Sequence, residues 1–141
     1  MIISLEKEQK GSEFVQEMEN TYGSLEEAKK LFKRTPRNVV LYVDIENWKY
    51  YRKHPHESIK RTTSIITKEL TLGEAEINLL NTIKHENPKS IRELAKMVKK
   101  DISSVQPKVK NLANEGLIQL KDGRKNSKIP YLNYDEISVI I

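Results

Sequence analysis

The chain is 141 residues long, 37% hydrophobic, with a formal net charge of +5 and no cysteine; that is enough for one full domain, or for a module of about 70 residues with an N-terminal attachment, and too little for a two-domain enzyme of ordinary size. Disulfides and cysteine-based zinc sites are excluded, and without a signal-like start or an apolar run of spanning length the expectation is a soluble, cytoplasmic protein with no membrane partner. Residues 1–47 hold 7 Lys/Arg against 9 Asp/Glu, whereas residues 48–141 hold 18 against 11 and so carry +7, a split expected when one region meets protein and the other meets phosphates.

Residues 1–10 place Ile2, Ile3 and Leu5 ahead of a run of charges, which fits either a short strand or a disordered start. Phe14, Val15 and Met18 share one side of a predicted helix over 13–22. Ser24 and Glu27 have capping-box spacing and predict a helix over 25–33 that ends near Pro36. Residues 38–45 (NVVLYVDI) are β-branched and aromatic and read as a strand, followed by a helix over 46–53 that Pro55 interrupts. Its Trp48, Tyr50 and Tyr51 read as core or as a dimer contact, and His54 with His56 lacks the further ligands that a metal site needs. Residues 58–69 fit a connecting helix or an extended segment.

From Thr71 the signals become dense. Thr71 with Glu74 forms a second capping box, and Ile77, Leu80 and Ile83, with Leu79 alongside, predict a helix to about Glu86, stopped by Asn87-Pro88. Ser90 with Glu93 forms a third box, opening a short amphipathic helix on Ile91, Leu94, Ala95 and Val98 that stops by Lys100. Asp101 caps a third helix whose buried side is Ile102, Val105, Val109, Leu112 and Ala113, ending at Gly116. Residues 117–120 then read as a strand, Asp122-Gly123 as a hairpin turn and 129–133 as the returning strand. The closing EISVII adds a last strand, against either 1–5 or 38–45.

The segment SIRELAKMVKKDISSVQPKVKNLANEGLIQLKDG resembles the winged helix-turn-helix of prokaryotic MarR- and ArsR-class regulators. Within them it most resembles a group of small archaeal and bacterial predicted regulators that share S-I-R-E-L-A, a V and a leucine-ended helix, G-L-I, a wing and P-Y, here Ser90 to Ala95, Val105 to Leu112, Gly116 to Ile118 and Pro130-Tyr131. The resemblance covers about half of the chain and implies an α+β fold: a winged helix-turn-helix over 71–141 with an N-terminal helical and strand extension over 1–70 for dimerisation or partner binding. It also implies a homodimeric regulator of transcription, a repressor in the simplest case, that binds double-stranded DNA with its third helix in the major groove. Carried over by position, the DNA-binding residues of that helix are Ser103, Ser104, Gln106, Lys108, Lys110 and Asn111, with Gln106 suited to adenine and Lys108 and Lys110 to phosphate. Those of the wing are Lys121, Arg124, Lys125 and Lys128. Pro107 departs from the pattern: either the helix begins later, capped by Ser103 or Ser104, or it is kinked at its reading end.

A second reading has the N-terminal region holding a small toxin-like protein, as an antitoxin would. An enzymatic reading is also available, because VVLYVDIENW resembles the first strand and acidic turn of NYN/PIN-type nucleases, with Asp44 and Asn47 beginning the site. Only about 25 residues separate Asn47 from the winged segment, too few for the remaining strand–helix units. No nucleophile–base pair or phosphate-cradling glycine loop stands out, so the expectation is a non-enzyme without catalytic residues, metal or cofactor.

Overall fold

The computed structural model describes residues 1–66 and 71–141. The order is β1 (Ile2–Lys10), α1 (Gly11–Tyr22), α2 (Leu25–Arg34), α3 (Val39–Lys53), β2 (Ser58–Ile66), α4 (Glu74–Glu86), α5 (Ile91–Met97), α6 (Ile102–Asn114), β3 (Gln119–Asp122), β4 (Lys128–Tyr131) and β5 (Glu136–Ile140). This is a mixed α and β architecture with one sheet ordered β2-β1-β5 and a separate β3-β4 hairpin. Residues 58–66 are extended, and the end of the segment read over 58–69 lies outside the described residues. None of the helices among the described residues is long and apolar enough to cross a membrane.

Two compact units divide the chain: Lys7–Arg61, and Met1–Glu6 together with Thr62–Ile141. In the first, α1, α2 and α3 pack around Phe14, Met18, Leu25, Ala28, Leu41, Ile45 and Trp48, joined by Ile59. Ser24 caps α2 as expected, its Oγ accepting from the Glu27 N–H at 3.1 Å, which is the N-cap half of the box that the spacing predicts.

The strand expected over 38–45 is instead the first half of α3. Leu41, Asp44, Ile45 and Trp48 are its buried residues, the i, i+3, i+4, i+7 set of a helix. Asn38 caps it, Oδ1 accepting from the Leu41 N–H at 3.0 Å. The β-branched residues that suggest a strand, Val39, Val40 and Val43, point to solvent at 70%, 69% and 46% exposure. Tertiary burial of the 3.6-period face therefore outweighs local β preference. The nuclease-like reading falls with the strand, since Asp44 lies mid-helix, accepting from the Tyr22 hydroxyl at 3.0 Å with Arg61 Nη2 at 3.7 Å. Of the aromatic group, Trp48 is core and Tyr50 is 45% exposed, while His54 Nδ1 sits 2.8 Å from the Tyr50 carbonyl oxygen.

In the second unit Leu79, Leu80 and Ile83 of α4, Leu94 and Ala95 of α5, and Val105, Val109 and Leu112 of α6 form one core with Leu117, Ile118 and Tyr134. Ile77, expected on the stripe of α4, is 55% exposed, because the buried set of this helix runs through Glu76, Leu79, Leu80 and Ile83. Its cap is also displaced. Gly73, not Thr71, is the N-cap, and Glu76 reaches back so that Oε2 accepts from the Gly73 N–H at 3.1 Å. Ser90 caps α5, Asp101 caps α6, and Gly116 leaves α6 at φ +82°, a conformation that glycine adopts without a Cβ penalty.

Ile3 and Leu5 complete this same core. They reach it because β1 pairs antiparallel with β5, Ile2 opposite Ile140 and Leu5 opposite Ile137. Of the two partners expected for the last strand, 1–5 is the one found; 38–45 is helical.

Candidate nucleic-acid interface

α6 runs unbroken from Ile102 to Asn114 with Pro107 inside it, so the later start considered from the sequence does not occur. Asp101 Oδ1 accepts from both the Ser103 N–H at 2.9 Å and the Ser103 hydroxyl at 2.8 Å. These bonds hold the Asp101 carboxyl below its ordinary range and keep a full charge at the helix start.

Three elements converge on one cleft of about 1000 Å³: the start of α5, the first turns of α6 and the β3–β4 connection. Its cationic and amide lining is Lys89, Arg92, Gln106, Arg124, Lys125, Asn126 and Lys128, and no Asp or Glu lines it among the described residues. All seven of these side chains belong to exposed residues. Ile91, Ile102 and Ile129 form the apolar part of its wall.

The hairpin that carries three of these cations closes through the Gly123 N–H donating to the Ser127 carbonyl at 2.9 Å. Gly123, read as part of the turn, is extended at φ −117°, and the positive φ values of the hairpin fall on Lys125 and Asn126, at 51° and 62°. Two adjacent left-handed residues that are not glycine cost about 1–2 kcal/mol each, less for asparagine, so the tip is held in a shape that local preference alone would not select. Lys128 lies across the hairpin from Asp122 and donates to its Oδ1, which lowers the Asp122 carboxyl below its usual range through that hydrogen bond and the charge beside it.

The structure distributes the sequence-derived residues over several surfaces. Gln106, Arg124, Lys125 and Lys128 share the cleft. Lys121 lies with its Nζ 5.1 Å above the Tyr131 ring and does not line it. Ser103 is engaged by the cap, and Lys110 is exposed. Ser104, Lys108 and Asn111 look toward α4: Ser104 and Lys108 line a small concavity with Ala75, Asn78 and Lys100, and Lys108 and Asn111 line another with Thr71 and Glu76.

Lys89 and Arg92 were not among the candidates. Arg92 stands in the first turn of α5, where the helix dipole favours an acid, and a cation retained there is the local signal that could have marked it. Its place opposite the hairpin depends on tertiary packing and has no short-range signature.

Residues 71–139, just under half of the chain, match the model of the family described as HVO_A0114. No curated protein and no solved structure matches the chain.

Proposed function

We propose that residues 71–141 act as a winged helix-turn-helix that binds double-stranded DNA, and that the chain is a homodimeric transcriptional regulator. The observation that carries this reading is the carboxylate-free basic cleft, in which α5, α6 and the hairpin present Lys89, Arg92, Arg124, Lys125 and Lys128 around Gln106. Clustered Lys and Arg release counterions when they meet phosphates, and a glutamine amide between them can pair bidentately with adenine. The helix, helix, helix, hairpin order supports the same assignment. In it α5 braces α6, α6 enters the major groove, and the hairpin is the wing, reaching the adjacent backbone or minor groove.

Two such modules on a dimer would read half-sites about one helical turn apart. Occlusion of a promoter is then the simplest mode of regulation. The test is selection of bound fragments from genomic DNA by the purified protein, followed by titration of the best fragment against ionic strength. Enrichment of a palindromic site with a steep salt slope is the expected result, and weak binding without sequence preference would overturn it.

A further inference from the structure

The homodimer in this reading needs a surface, and α3 supplies one. Its inner face is fully used by Leu41, Asp44, Ile45 and Trp48. Its outer face is apolar where solvent would ordinarily select polar residues: Val39, Val40, Tyr42 and Val43 are 70%, 69%, 51% and 46% exposed, and Tyr50 is 45% exposed. Large apolar side chains gathered on one helical face mark an interaction site more often than a solvated surface.

The charges around this face identify the occupant as another copy of it. The charged residue in the exposed row Val39, Val43, Glu46, Tyr50 is Glu46, whose neighbour is Lys49 at 3.2 Å, an exposed pair worth little by itself. The start of the helix has no acid in its first turn and is preceded by exposed Arg34 and Arg37. It is therefore positive twice over, from the arginines and from the helix dipole. Glu46 lies seven residues beyond Val39, the first residue of the helix, about 10 Å along its axis, and Arg37 stands in the turn two residues before that start. In an antiparallel pairing about a twofold axis near Tyr42, the Glu46 of each copy meets the Arg37 and the helix start of the other. Val40 and Val43 then cross the axis onto the partner's Val43 and Val40. A parallel pairing would instead set Glu46 against Glu46.

We propose that α3 is the self-association surface of the protein, packing antiparallel against a second α3 through Val39, Val40 and Val43 with reciprocal Glu46–Arg37 contacts. Because this deepens the homodimer of the proposed function and does not need its DNA, the experiment is sedimentation velocity of the full chain without nucleic acid, over a range of protein concentrations. Wild type is expected to dimerise, and V40D/V43D to sediment as a monomer with an unchanged far-ultraviolet circular dichroism spectrum, since both positions are exposed. E46R and R37E are each expected to raise the dimer dissociation constant about tenfold or more, as like charges meet across the axis. The double variant R37E/E46R is expected to recover most of that loss, which a merely solvating role of these residues would not produce. A monomeric wild type, a dimer indifferent to V40D/V43D, or a double variant no better than the single ones would overturn the proposal. DNA binding retained by a monomeric wild type would leave the nucleic-acid reading standing without it.

Discussion

The Nζ of Lys108 lies 3.0 Å from Oε1 of Glu76, so a lysine in the middle of α6 is held against the start of α4 while Gln106, two residues earlier, lines the basic cleft. The proposed interface should therefore separate cations by location. Arg92→Ala and Arg124→Ala are each expected to reduce the slope of log binding constant against log salt by about 1, with melting temperature little changed. Lys108→Ala is expected to leave that slope alone and to lower the melting temperature instead. Salt titrations of the three variants on one DNA fragment, beside thermal melts, check this; a slope change for Lys108→Ala equal to that of Arg124→Ala would contradict the separation.

Glu76 gives the same contact a pH signature. The Lys108 hydrogen bond and the backbone N–H groups at the start of α4 hold its carboxyl below the ordinary glutamate range. The folded form thus favours the carboxylate, and its contribution is complete above the ordinary range, about 4.3, and lost as pH falls through the folded value. Glu76→Gln keeps an oxygen that can accept from the Gly73 N–H but loses the charge facing Lys108, and should cost up to about 1 kcal/mol at neutral pH. The gap to wild type should narrow as pH falls below the ordinary glutamate range and close once the folded carboxyl is protonated. Urea denaturation at several pH values measures it, and a gap independent of pH would exclude this role.

At the alkaline end the group to follow is Tyr134. Burial pushes its phenol up to about 12, and its hydroxyl donates to the Leu117 carbonyl at 2.9 Å inside the core. The folded state favours the neutral form, so this stabilisation is intact below the ordinary tyrosine range, about 10, and is lost as pH rises toward about 12. Tyr134→Phe should lower stability at neutral pH by about 1 kcal/mol and flatten the alkaline part of the stability profile. Identical alkaline unfolding in variant and wild type would show that Tyr134 is not responsible.

Pro107 is exposed and lies inside α6, where it cannot donate to the carbonyl of Ser103. Pro107→Ala restores that donor, and the gain is partly offset by the freer unfolded chain. A net increase of about 1–2 kcal/mol is expected, read as a higher denaturation midpoint. A decrease would mean that the ring itself packs usefully in the folded protein.

Much of the C-terminal unit can be read from short-range chemistry. Ser90, Asp101 and Gly116 act within a few residues of themselves, and each forms the cap or turn that its neighbours predict. Val39, Val40 and Val43 mislead because residue type alone suggests a strand, whereas the alignment of Leu41, Asp44, Ile45 and Trp48 is what the fold buries. The interface residues divide in the same way. Arg124, Lys125 and Lys128 announce themselves as a basic hairpin, but the approach of Arg92 to them and the capture of Lys108 by Glu76, 32 residues away, are decided by packing.

The pairing of Ile2 with Ile140 sets a timetable for assembly. A ribosome makes β1 long before β5, and the partner strand and the core that receives Ile3 and Leu5 are not complete until residue 140 has emerged. Closing so long a loop is entropically slow and rewards no earlier local contact. The three-helix unit between them has all of its core residues in hand by Ile59 and can form while the remainder is still being translated. Residues 1–6, by contrast, wait with the Ile3 and Leu5 side chains uncovered, and a block late in synthesis would leave that strand available to any other open sheet edge.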